Sequence, residues 1–153
     1  MVVQTASNTP EQPTAPEAQR ASGDRLTGLG KVLITAYLVL ATAATFRSVF
    51  QILRKFDEAP VAYALSALAA VVYILASVAL IRRRGAWRIV AWVAITFELV
   101  GVLLVGTLSL TVPEWFAHAS VWSEFGRGYA FIPLVLPVLG LLWLRRDRAG
   151  VAA

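Results

Sequence analysis

An all-α, four-helix transmembrane bundle, with a short outer interfacial helix before the last span, is the fold that three features of this sequence predict. The 153 residues are 58% hydrophobic and 15% charged, with a mean hydropathy of +0.69. A soluble domain is nearer ~45–50% apolar and ~25% charged. The apolar excess falls into four blocks separated by charge clusters, the pattern of an integral membrane protein. The basic residues, 12 Arg and 2 Lys, stand mostly at the ends of those blocks. There they meet headgroups and set topology, so the net charge of +5 does not indicate nucleic acid.

Residues 1–25 carry prolines at 10, 13 and 16 among Ala, Gln, Thr and Glu. With nothing to bury, they read as a disordered cytoplasmic tail before a membrane domain over 26–148. The first span is expected over about 32–53. Ala41-Thr42-Ala43 raises the alternative of a cleaved secretory signal. The long preceding region and the three further apolar blocks argue against cleavage. Residues 54–60 form a polar loop ending in Pro60, which suits the first turn of a helix. Residues 61–81 contain no charge and match the ~20 positions that cross a bilayer. Arg82, Arg83 and Arg84 stop that span, and the third follows over about 89–110.

Thr111 and Glu114, three apart, match a capping box. Trp115, Ala119, Trp122 and Phe125 then recur at helical spacing. This predicts an amphipathic helix over about 112–125, lying at the surface with Trp at headgroup level. The fourth span, about 127–144, contains Pro133 and Pro137 on one face, which predicts a kinked helix. Residues 149–153 are a short C-terminal tail.

Topology follows from counting basic residues. Arg20, Arg25, Lys31, Arg82, Arg83, Arg84, Arg88, Arg145, Arg146 and Arg148 share one side of a four-span arrangement. Only Arg54, Lys55 and Arg127 stand on the other. The imbalance puts both termini in the cytoplasm of a multi-pass cell-membrane protein.

Glu98 is the strongest anomaly. A charged group in mid-bilayer is costly, and such residues usually face the bundle interior and are paired. Ala91, Ala94 and Gly101 share its helix face and allow close approach of neighbours. At ~1.5 Å per residue, Glu98 lies about 14 Å from the cytoplasmic end, Tyr73 about 12 Å and Arg47 about 22 Å. Tyr73 is therefore expected to donate a hydrogen bond to Glu98, with Arg47 at the limit of reach. The three form either a structural polar network or a ligand site; with no aqueous path visible, the structural role is favoured. The proline helix reads either as a cavity wall or as a tolerated kink. His118, Trp122, Glu124 and Arg127 are outer-face candidates. His118 is the only histidine and has Glu114 four residues before it for a helix-surface pair. Gly101 and Gly106 are five apart, so they do not form a GxxxG dimer motif.

The chain has no cysteine, which excludes disulfides and Cys-ligated metals. One histidine does not make a metal site, and neither a P-loop, a dinucleotide fingerprint nor a nucleophile–base motif is present. No cofactor and no metal is expected, and no catalytic residue is assigned. The segment Val121-Trp122-Ser123-Glu124-Phe125-Gly126-Arg127-Gly128-Tyr129, with Phe131-Ile132-Pro133-Leu134-Val135-Leu136-Pro137, resembles uncharacterised small four-span integral membrane proteins of actinobacteria. That resemblance implies a plasma-membrane location and carries no activity. The expected function is a non-enzymatic accessory or assembly component of a larger membrane complex. Its partners are then the lipid bilayer and a larger complex or further copies of itself. The alternative is a small transporter or ligand-binding protein using Glu98. A lipid-active enzyme ranks last, because it needs His118, Glu124 and Arg127 to converge.

Overall fold

The computed structural model describes residues 15–82, 85–116 and 118–149. All regular structure among the described residues is helical. It comprises α1 (Ala15–Lys55), α2 (Pro60–Arg82), α3 (Ala86–Thr111) and α4 (Ile132–Ala149). Three short 3₁₀ segments connect them: Phe56–Glu58, Pro113–Trp115 and Ser123–Tyr129.

The helix lengths follow the apolar runs. The 23 residues of α2 and 26 of α3 extend about 35 and 39 Å, enough to cross a hydrocarbon core of ~30 Å. Three helices are long and apolar enough to cross a membrane, or four if the bent pair 123–129 plus 132–146 counts as one span. Large apolar side chains such as Phe46, Leu53 and Ile89 stand exposed around the bundle. On a soluble protein so much exposed apolar surface would drive association; against lipid tails it is ordinary.

Short connections make sequential helices neighbours. α1 packs chiefly on α2, α2 on α3, and α3 on α4 and the 123–129 segment. The buried face of α2 is built from small residues, including Ala62, Ser66, Ala69, Ala76 and Ala79. These let the helices approach closely. The hydroxyls of Ser66 and Ser77 donate to the carbonyls of Ala62 and Tyr73, which satisfies them without a partner helix.

The structure corrects four expectations. First, α1 begins at Ala15, inside the stretch expected to be a disordered tail; residues 1–14 lie outside the described residues. Second, no continuous helix runs over 112–125. Thr111 is the last residue of α3, and its hydroxyl donates back to the carbonyl of Thr107 rather than capping a new helix. Inside a membrane that backward bond satisfies the hydroxyl at once. Third, α4 starts at Ile132, five residues later than expected. The 123–129 segment meets it at 99°, so the chain enters α4 through a bend. Fourth, Pro133 sits in the first turn of α4, where its missing N–H costs nothing; only Pro137 interrupts the helix interior.

The bend has an identifiable cause. Glu124, Phe125, Ala130 and Phe131 are non-glycine residues at φ of 50, 59, 52 and 58°. Each such residue costs about 1 kcal/mol or more and persists only when its surroundings enforce it. Three contacts enforce it here. The Trp122 ring lies over Gly101, where a Cβ would come within 2.7 Å of it. The Phe125 ring lies over Gly106, at 2.5 Å from a hypothetical Cβ, and Pro133 covers Gly126 at 2.8 Å. The two glycines of α3 are therefore seats for aromatic rings of the connecting loop.

Candidate functional site

Four elements converge on Glu98. The residue is fully buried on α3, and its Oε2 accepts a hydrogen bond of 2.7 Å from the Tyr37 hydroxyl of α1. Its Oε1 is buried with no hydrogen-bond partner. The Tyr73 ring of α2 stands 6.3 Å from that of Tyr37, tilted by 54°. The Tyr73 hydroxyl accepts a 3.0 Å bond from the indole Nε1 of Trp122. Trp122, only 2% exposed, also meets Phe97 edge-on at 6.4 Å. One acid, two phenols and an indole from α1, α2, α3 and the loop thus form a polar centre in a largely apolar core.

This differs from the sequence reading at each partner. Tyr37, not Tyr73, donates to Glu98, and Tyr73 is bonded to the loop. Arg47 does not reach Glu98. Ten residues separate Arg47 from Tyr37, about 15 Å along the helix and about 80° around it. The Arg47 guanidinium instead donates through Nη2 to the carbonyl of Ala119 at 2.8 Å. It also contacts Gln51 at 3.4 Å and lies 6.0 Å from the Tyr129 ring centre. An arginine that read as an expensive intramembrane charge is the tether of the loop. Tyr37 was missed although a signal existed. Leu33, Tyr37, Leu40, Ala41, Ala44 and Ser48 repeat at helical spacing, and all are buried.

The expected outer-face residues separate into two groups and one exception. His118 Nε2 lies 3.2 Å from the Glu58 carboxylate, and its ring stacks on Tyr63 at 6.0 Å. Glu58 also pairs with Lys55 at 3.3 Å, so the α1–α2 turn, rather than Glu114, holds the histidine. Glu124 pairs with Arg127 at 2.9 Å, and Arg127 is 73% exposed. Beside this pair lies an open pocket of about 370 Å³ lined by Ala119, Ser120, Ser123, Glu124, Arg127 and Gly128. Trp122 is the exception: it is core, not surface.

Ser120 and Ser123 hold the loop from within. Each backbone N–H donates to the other's hydroxyl oxygen, at 2.9 and 3.1 Å, and the two hydroxyls lie 2.9 Å apart. The Ser109 hydroxyl of α3 accepts from the Glu124 N–H at 2.7 Å. His118 does not line the pocket beside Glu124 and Arg127, so the three polar residues required by a lipid-active enzyme are not gathered. Among the described residues no group of three or more His, Asp or Glu side chains is placed to hold a metal ion. No protein-family model matches the chain, and comparison with curated proteins and with solved structures finds no significant match to either.

Proposed function

We propose that this chain is a non-enzymatic accessory component of a larger assembly in the cell membrane, presenting the 119–131 loop to a protein partner. The observation that carries this reading is the cost and rigidity of that loop. Four non-glycine residues hold positive φ there, seated by Trp122, Phe125 and the Arg47 tether. Strain of this kind is retained where a surface must keep one shape. The polar rim of Glu124 and Arg127 stands on that rigid base.

The test is purification from native membranes in mild detergent, followed by mass spectrometry. The wild-type chain is expected to bring down a larger membrane complex. Arg127→Glu, a change at an exposed site, is expected to reduce partner recovery at least several-fold with an unchanged melting midpoint. Recovery of both proteins as isolated chains would overturn the reading.

The orientation belongs to the same proposal. Both termini lie in the cytoplasm, and the 119–131 loop faces outward, on the strength of the basic-residue count. A reporter that works only in the cytoplasm, fused at the C-terminus, is expected to be active. Activity only for an externally working reporter would reverse the assignment. The membrane is that of an actinobacterium if the resemblance at 121–137 reflects descent.

A second reading, a small transporter or ligand-binding protein, draws on the partnerless Oε1 of Glu98. In that case proteoliposomes would show a proton or solute flux that Glu98→Gln abolishes. An equal flux in both proteins would dismiss it.

A further inference from the structure

We propose that the cleft between the N-terminal part of α1 and the C-terminal part of α4 binds one anionic phospholipid. An acyl chain occupies the cleft and the phosphate meets Arg146. This proposal rests on the chain lying in a membrane and is independent of any protein partner.

The geometry begins at Gly140. There α4 comes close to α1, and a Cβ on Gly140 would lie 3.6 Å from the Tyr37 hydroxyl and 3.2 Å from Ile95. Beside that approach, residues of α1 and α4 border a gap. The gap is a cavity of about 180 Å³ whose lining includes Leu29, Leu33, Leu139, Trp143 and Arg146. Apart from Arg146, its lining consists of aliphatic side chains and the Trp143 indole. An apolar cavity of ~150 Å³ stays dry and accepts apolar guests, so water is not the natural occupant.

The charge identifies the rest of the ligand. Arg146 makes no ion pair or hydrogen bond among the described residues. The same holds for Lys31 and Arg145, which stand at the same end of the bundle. A guanidinium suits a phosphate, which it can hold through two parallel N–H bonds. Basic pockets between spanning helices at headgroup level take anionic lipids, with about 1 kcal/mol per basic residue. An apolar slot ending in an unpaired arginine therefore matches one molecule with an acyl chain and a phosphate. A second helix, ~10 Å across with its side chains, is too thick for a cleft of this volume.

The experiment is native mass spectrometry of the full chain in mild detergent. The protein is titrated with equal amounts of phosphatidylglycerol and phosphatidylcholine carrying identical acyl chains. One phosphatidylglycerol per chain is expected to be retained, about five-fold over phosphatidylcholine. Arg146→Gln is expected to bring the two lipids to parity while total lipid retention persists. Leu139→Trp, which fills the slot, is expected to reduce retention of both. Far-ultraviolet circular dichroism matching wild type establishes that each variant is folded. No preference in the wild type, or a preference that survives Arg146→Gln, overturns the proposal. So does displacement of the lipid by millimolar inorganic phosphate, or a second copy of the chain bound in its place.

Discussion

Trp122→Ala is expected to lower the unfolding free energy in detergent by about 3–5 kcal/mol. The side chain is 2% exposed, packs over Gly101 and meets Phe97 edge-on. Its removal opens a cavity and deprives the Tyr73 hydroxyl of its indole donor. Trp122→Phe keeps part of the packing but loses the N–H and some ring volume, so its cost is expected to be smaller, about 1–2 kcal/mol. Gly101→Val attacks the same contact from the other side. Its Cβ would stand 2.7 Å from the indole, an overpacking expected to cost about 1–3 kcal/mol. All three are read by denaturation in detergent, with limited proteolysis reporting release of the 119–131 loop. A Trp122→Ala protein that melts with wild type and resists protease equally would show that the loop is not seated in the bundle.

Glu98→Leu and Glu98→Gln are expected to behave differently. Glutamine keeps an oxygen to accept from the Tyr37 hydroxyl, and its melting midpoint should stay near wild type. Leucine leaves that hydroxyl buried and unsatisfied, an expected loss of about 1–3 kcal/mol. Tyr37→Phe removes the donor and leaves the acid without its hydrogen bond. Combining Tyr37→Phe with Glu98→Leu removes both polar groups. The double variant should therefore be more stable than the two single losses added together predict. The coupling is expected at about 1–2 kcal/mol, from melting the four proteins of the cycle. Zero coupling, with Glu98→Leu as stable as wild type, would remove Glu98 and Tyr37 from any structural role.

Much of the architecture is legible without coordinates. The charge clusters at 54–58, 82–84 and 145–148 bound the apolar blocks, and α2 and α3 fall within a few residues of their expected limits. Glu98 was legible too, because a lone acid in a long apolar helix admits few explanations. The connecting segment misled. Trp115, Ala119, Trp122 and Phe125 have helical spacing, yet the chain there turns through positive φ. Periodicity reports a stripe of aromatic residues; it does not report whether the stripe faces headgroups or enters a slot. Here Gly101 and Gly106 make the slot, and their spacing of five only looked like a failed dimer motif.

The partners of Glu98 were legible only in part. Depth along each helix is a sum of rises, which the sequence supplies. Which hydroxyl reaches the acid depends on how far each helix is rotated about its axis. That rotation is set by packing among all four elements. α2 presents Tyr73 to the loop, and α1 presents Tyr37 to Glu98. Arg47 stands too far along α1 and turns to the carbonyl of Ala119.

Composition and hydropathy by themselves determine that this protein carries several helices able to cross a membrane, and roughly where those helices stop. Both properties are local, since transfer of each residue from water depends on its own side chain and backbone. The tertiary structure alone decides that Trp122 is core, that Arg47 ties down a loop, and that α4 is entered through a bend. Those outcomes depend on shape and on hydrogen-bond partners supplied by residues far away in the chain. No window of sequence contains both halves of such a contact.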